Sequence, residues 1–173
     1  MIMSENLALQ EEKVPLKSRI WVSIADAACA MLNTFVVSIG LTYYFTSFRG
    51  MDPGLAATVW LLFGIWNAVN DPLFGYISDR TKSALGRRIP YIRFGAPMIG
   101  LAFVLCWINF GGAQASQTVM FIQMTALLFI FDVLYTAIAT SIYVMPFEMA
   151  VSNKARSSIF IWKLIFSVFP LAV

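Results

Sequence analysis

Histidine is missing from all 173 residues. That excludes imidazole acid–base catalysis and histidine-ligated metal centres. Charged residues are scarce at 12%, about half their share in soluble domains. Cysteine occurs twice, as Cys29 and Cys106, each inside an apolar segment. Both read as buried thiols, with a functional thiol as the alternative. No nucleophile–base pairing and no metal-ligand spacing supports a membrane enzyme. A net charge of +3 is too small to suggest a nucleic-acid partner. Apolar residues fill the space instead: 60% of the chain is hydrophobic and its mean hydropathy is +0.76. That balance excludes an ordinary soluble domain. The length accommodates about five bilayer-crossing helices of about 20 residues each. The expected fold class is an all-α membrane protein.

Residues 1–19 carry Glu5, Glu11, Glu12, Lys13, Lys17 and Arg19 and no apolar core. They read as a cytoplasmic tail and not as a signal peptide. Five apolar spans follow, over residues 20–45, 55–77, 90–110, 118–147 and 157–173. The turn Arg49–Gly54 separates the first two, and the uncharged connector Gly111–Gln117 separates the third from the fourth. Basic residues set the expected orientation. Lys13, Lys17 and Arg19 stand in the tail. Arg80, Lys82, Arg87 and Arg88 stand in the second connector, with Arg93 just beyond, and Lys154 and Arg156 in the fourth. The first and third connectors hold Arg49 alone. The N-terminus and the even connectors are therefore expected in the cytoplasm. The last span is still apolar at Val173. The expectation is an incomplete bundle, either a fragment of a longer protein or a truncated product.

A charged side chain near the bilayer centre costs roughly 2.5–3.5 kcal/mol, so each one needs a reason. Five are found: Asp26 in span one, Asp71 in span two, Asp132 in span four, Glu148 at its end, and Lys163 in span five. Span three has none beyond Arg93 at its cytoplasmic end, and is expected to face lipid or pack outside a polar interior shared by the others. Asp26, Asp71 and Lys163 each lie roughly 9 Å inside the cytoplasmic end of their span, at about 1.5 Å per residue. Lys163 is therefore expected to pair with Asp71 or Asp26. The bridge is either static or part of a substrate or ion site.

The stretch Trp66–Gly95 is the most informative. Asn67, Asn70 and Asp71 fall at i, i+3 and i+4 and share one helical face. Pro72 frees the carbonyl of Ala68. One carboxylate, two amide oxygens and that carbonyl suit a hard cation. The alternative is hydrogen bonding to neighbouring helices. In span four, Asp132, Thr136 and Thr140 share a face, with Tyr135 and Tyr143 nearby. They line a cavity for a hydroxylated ligand, or they bond one helix to another. Trp60, Trp66, Trp107 and Trp162 read as interfacial anchors or packing. Sugar stacking is the other reading, with Trp162 beside Lys163 best placed for it.

The basic hairpin has a plain reading, since topology needs its charges. Its details are more specific. Gly75 permits close helix approach. Asp79 stands at a helix C-terminus, where the helix dipole disfavours it. A partner is expected, either a nearby Arg or the N-terminus of another helix.

Gly75, Asp79, Arg80, Gly86, Arg87 and Arg88 together resemble the signature loop between helices two and three of the major facilitator superfamily. Trp66–Gly95 as a whole is similar to the glycoside–pentoside–hexuronide:cation symporter family (melibiose-carrier-like). That family's pattern is Trp-Asp-Ala-x-Asn-Asp-Pro-x-x-Gly, then Asp-Arg-Thr and Gly-Arg-x-x-Pro. Tyr43-Tyr44-Phe45-Thr46 resembles it too, as does Pro146–Lys163 with Glu148, Met149, Arg156, Trp162 and Lys163. The resemblance covers residues 20–173. It implies five transmembrane helices of the N-terminal bundle, incomplete, with a C-terminal bundle as partner. The implied function is secondary active symport of a glycoside, sugar or related small solute by alternating access. Sodium or a proton is the implied coupling ion, with no other cofactor. The implied location is the plasma (cell inner) membrane.

The resemblance also assigns positions. Asp71 matches the second carboxylate of the helix-two cation site, and Asn67 stands where coupled members carry the first. Thr136 matches a threonine that helps the cation site. Lys163 stands where the family has a sugar-binding Arg. Asp26 matches an Asp near the start of helix one, with a one-residue gap. The sugar-binding carboxylates of melibiose-type carriers fall near Met31 and near Ala139 or Thr140, and are absent here. With Asn67 in place of a carboxylate, proton coupling through Asp71 and uncoupled transport stand beside sodium coupling. The expected cation-binding set is Asp71, Asn67, Asn70 and Thr136. The expected substrate-binding set is Lys163, Asp26, Asp132, Trp162 and Tyr135. The alternatives are a non-transporting truncated module, or a carrier of lipid or drug cargo.

Overall fold

A computed structural model describes residues 13–38, 40–112 and 115–171. The tail expected over residues 1–12 lies outside the described residues, as do Ala113 and Gln114 of the third connector. Among the described residues the regular structure is entirely helical. The first span is α1 (Leu16–Asn33), a π-helical turn (Thr34–Ser38), α2 (Gly40–Tyr43) and a second π-helical turn (Tyr44–Phe48). The others are α3 (Pro53–Arg80), α4 (Ile89–Cys106), α5 (Gln117–Met149) and α6 (Asn153–Leu171). The expected all-α class is what is found.

Most helices run past the apolar spans, because polar residues continue the backbone ladder beyond the hydrophobic stretch. At the start of α3, Asp52 Oδ1 accepts from the N–H groups of Gly54 (2.8 Å) and Leu55 (3.1 Å). Pro53 takes the first helical position, where its missing donor costs nothing. At the other end, Thr81 Oγ1 donates to the carbonyl of Ile77 at 2.9 Å. α4 is the exception. It ends at Cys106 and not near Phe110, with Trp107 N–H turned back to the carbonyl of Val104. Gly111 and Gly112 then hold φ of 91° and 69°, a left-handed conformation that favours glycine.

Among the described residues, three helices are long and apolar enough to cross a membrane: Leu16–Phe48, Ile89–Cys106 and Gln117–Met149. Five were expected. The other two carry the chemistry. α3 includes Asn67, Asn70 and Asp71, and α6 includes Lys154, Arg156 and Lys163, so their average hydropathy drops.

Contacts divide the chain into two compact units, residues 1–31 with 139–173, and residues 32–138. In the first, Val14, Ala150, Ala155 and Ile159 form a buried apolar cluster with Met149 against it. Arg19 Nη1 donates to Ser158 Oγ at 2.9 Å, tying α1 to α6. Arg156 Nε donates to the carbonyl of Ala150 at 2.8 Å, satisfying a group just past α5.

In the second unit, α3 buries Ala56, Val59, Phe63, Asn70 and Ser78, and exposes Leu61, Ile65, Val69, Leu73 and Tyr76. α4 buries Gly95, Ile99, Ala102 and Cys106, and exposes Phe94, Met98, Leu101 and Val104. Each helix thus turns one apolar face inward and an equally apolar face outward. Water penalises such outward faces and hydrocarbon does not. A Cβ on Gly95 would sit 2.9 Å from Ile138 Cγ1. The missing side chain is what lets α4 approach α5.

Candidate functional site

α3 and α5 bring four of the sequence-predicted residues into one hydrogen-bonded chain. Asn70 Nδ2 donates to Asp132 Oδ2 at 2.9 Å and to Thr136 Oγ1 at 3.1 Å. Thr136 Oγ1 in turn donates to Asp71 Oδ1 at 3.1 Å. Asn70, Asp132 and Thr136 are buried to within a few per cent, whereas Asp71 is exposed. The chain therefore runs from a buried carboxylate to an accessible one. Local sequence explains the assembly: Asn70 and Asp71 are adjacent on α3, and Asp132 and Thr136 are one helical turn apart on α5.

Electrostatically the chain is one-sided. Both carboxylates are held by neutral donors. Among the described residues, no lysine or arginine forms an ion pair with Asp71 or Asp132. Nor does any group of three or more Asp, Glu, Cys or His side chains gather. Two carboxylates flanked by an amide and a hydroxyl form an oxygen-rich set of the kind that hard cations prefer. Asp132, expected in the substrate-binding set, hydrogen-bonds to Asn70, of the expected cation-binding set. Asn67 is half-buried on the same helix but makes no hydrogen bond among the described residues. Trp66 stacks on Phe129 at 5.1 Å. Its buried indole N–H comes near Asp132 without a full hydrogen bond.

In the unit of residues 1–31 and 139–173, Lys163 Nζ lies 3.0 Å from Asp26 Oδ1. The partner of Lys163 is thus Asp26, not Asp71. The lysine side chain is only 11% exposed, so its carboxylate partner offsets most of its burial. The pair forms one wall of an open cleft of about 580 Å³, otherwise lined by Ser157, Phe160, Ile161, Leu164 and Ser167. Trp162 is half-buried and packs obliquely on Phe166, with ring centres 6.4 Å apart. Tyr135 stacks on Phe131, 6.3 Å away. Neither aromatic lines that cleft.

The hairpin residues form a third arrangement. Arg88 is buried, and its Nη1 donates to Ser78 Oγ at 2.6 Å. Its Nη2 lies 2.6 Å from Asp79 Oδ1. The partner expected for Asp79 is therefore an arginine of the same hairpin. Arg80 lies over the ring of Tyr76 at 4.1 Å. Gly86 holds a φ of 91° at the tip, and Gly75 has open space around the position of a Cβ. Among the described residues, no helix approaches closely at Gly75.

Sequence reasoning missed several contributors. Ser78 is one, although its place beside Asp79 was a usable signal. Another is the set joining the first connector to the third. Arg49 Nη2 donates to the carbonyl of Phe110 at 2.9 Å. Gln117 accepts from Asp52 N–H and donates to the carbonyl of Gly50, each at 2.9 Å. Arg49 is the only charge in those connectors outside Asp52, which was the available hint.

Residues 22–172 match the family described as MFS/sugar transport protein. An uncharacterized symporter of Synechocystis sp. is 26% identical over 164 residues, covering 93% of this chain and 30% of the relative. The putative glycoside/cation symporter YagG of Escherichia coli is 24% identical over 151 residues, covering 87% and 32%. The isoprimeverose transporter of Lactiplantibacillus pentosus is 28% identical over 99 residues, covering 57% and 20%. The chain spans less than a third of the length of these relatives. The match agrees with the resemblance carried by Trp66–Gly95, and with helices apolar enough to span a bilayer. The chain is an integral membrane protein and belongs to the MFS/sugar transport protein family.

Proposed function

We propose that this chain supplies N-terminal helices of a secondary transporter that moves a sugar or glycoside together with a monovalent cation, sodium or a proton. One observation carries the reading: Asp71 and Asp132 are joined through Asn70 and Thr136, and among the described residues no cationic side chain is paired to either. A carboxylate in a dry helical interior is costly unless its charge is matched. An exchangeable cation matches it, and does so reversibly, as coupling requires. The relatives named as a glycoside/cation symporter and as an isoprimeverose transporter support the substrate class.

In this reading Asp132 supplies the second carboxylate that Asn67 does not. Asp71, at the accessible end, receives the ion first, and Asp132 holds it deeper. Lys163 and Asp26 belong to the solute side: a cationic and an anionic group on one cleft wall can hydrogen-bond vicinal hydroxyls. Alternating access needs a second helical bundle, which the longer relatives have room to encode. The basic connectors favour a plasma-membrane protein with a cytoplasmic N-terminus.

The test is uptake into proteoliposomes by the full-length protein, with a panel of sugars and imposed sodium or pH gradients. The expected result is uptake of at least one glycoside stimulated by one gradient. Uptake indifferent to both gradients contradicts coupling. No uptake of any sugar contradicts the substrate class.

A further inference from the structure

Trp66 and Asn70 stand one turn apart on α3, and Phe129, Asp132 and Thr136 share a face of α5. The two faces meet in two rungs. At one, the rings of Trp66 and Phe129 stack with an interplanar angle of 13°. At the other, Asn70 bonds Asp132 and Thr136. The stack fixes the plane of the indole, and Trp66 Nε1 lies in the interior beside Asp132.

That nitrogen is fully buried and has no hydrogen-bond partner among the described residues. Arg19 and Trp107 also keep one buried donor atom unmatched, but Trp66 is the one on the face of α3 that carries Asn70. A buried donor without an acceptor is destabilising, and the N–H of a buried tryptophan ordinarily has one. Packing on Phe129 needs only an aromatic ring and gives no reason for a donor at this place. Asp132 gives one. It is 4% exposed, and its described hydrogen bond is the one from Asn70 Nδ2 to Oδ2 at 2.9 Å. A carboxylate has about four lone-pair sites, so acceptor capacity remains beside the indole. Carboxylates that ligate an ion are themselves held by neighbouring donors, which fix their orientation.

We propose that Trp66 is a positioning residue of the ion site: its indole N–H closes the remaining gap to Asp132 as the coupling ion binds, and holds the carboxylate in the orientation that takes the ion. The proposal rests on the reading of Asp71 and Asp132 as that site. It assigns Trp66 to the ion and not to sugar stacking.

The experiment is an NMR titration of the full-length protein in detergent, with its tryptophans labelled with nitrogen-15, beside uptake measurements in proteoliposomes. The Trp66 indole signal is identified by its loss in Trp66→Phe, which keeps a ring for the stack on Phe129. Sodium chloride is added at fixed pH, and the pH is then varied without sodium. The Trp66 indole proton is expected to move downfield with the ion that stimulates uptake, as a donor does on gaining an acceptor, and to stay still in Asp132→Asn. In uptake, Trp66→Phe is expected to shift the half-maximal ion concentration about 5-fold, the worth of one hydrogen bond, and to leave the half-maximal sugar concentration unchanged. A Trp66 signal that stays still while uptake responds to the ion overturns the proposal alone. So does a shift that persists in Asp132→Asn, or an ion dependence in Trp66→Phe equal to the wild type's. A Trp66 signal and uptake that are both indifferent to sodium and pH overturn the ion-site reading, and the proposal with it.

Discussion

Asp26 and Asp132 are both carboxylates set into long apolar helices, and they are held in opposite ways. Asp26 faces a lysine ammonium at 3.0 Å, and the pair carries no net charge. Asp132 faces an amide at 2.9 Å, and through Asn70 and Thr136 it connects to a second carboxylate, Asp71. An ion pair is complete in itself and has no need of a mobile ion. Two carboxylates held by neutral donors are incomplete until a cation or proton arrives. In the proposed reading, the difference separates a site that orients a solute from a site that exchanges an ion. In the same reading Asn67 does not remove the case for coupling, because the second carboxylate is taken from α5 and not from α3.

The largest expected effect breaks the incomplete site. Asp71→Asn and Asp132→Asn are each expected to lower gradient-driven uptake about 100-fold, from the loss of about 3 kcal/mol of charge-assisted binding. Ion-stimulated proteoliposome flux checks this. The double neutral variant is not expected to recover, because it deletes the ion's ligands.

The ion pair behaves in the contrary way. Lys163→Ala leaves Asp26 without its cation, and is expected to destabilise the protein by about 2 kcal/mol, reduced from a fully buried pair because Asp26 is partly exposed. Combining it with Asp26→Asn is expected to restore most of that stability but not sugar uptake. Thermal unfolding in detergent and uptake, measured side by side, separate the two readouts.

Smaller changes sharpen the contrast. Thr136→Val keeps the shape but removes the hydroxyl between Asn70 and Asp71. A loss of about 1–1.5 kcal/mol in ion affinity is expected, visible as a shift of about tenfold in the ion concentration for half-maximal uptake. Asn67→Asp adds a carboxylate on the same face of α3. It is expected to tighten sodium binding about 5-fold, at roughly 1 kcal/mol for a charge at the edge of the cluster. Measurement of that same half-maximal concentration checks it.

The helices were legible in the sequence because apolar length is nearly sufficient to define a membrane helix. The pairing of Lys163 was legible to one of two carboxylates, because matching depth from the span ends is simple arithmetic on helix rise. Choosing Asp26 over Asp71 needed the rotation of α6 about its axis, which spacing does not encode. The same gap hid the link from Asp132 to Asn70. Residue spacing shows that Asp132 and Thr136 share a face of α5, but not that this face meets α3. The π-helical turns at Thr34–Ser38 and Tyr44–Phe48 had no signal in composition, since they shift only the hydrogen-bond register. Asp79 was the clearest local case. A carboxylate at a helix C-terminus called for a partner, either a nearby Arg or another helix's N-terminus, and Arg88 supplies it.

The most direct measurement is the ratio of sugar uptake with and without a cation gradient, in wild type and in Asp132→Asn, using the full-length protein in proteoliposomes. The account predicts that the ratio falls to one in the variant while slow downhill uptake persists. An Asp132→Asn protein that keeps the wild-type ratio would contradict the claim that this buried carboxylate holds the coupling ion.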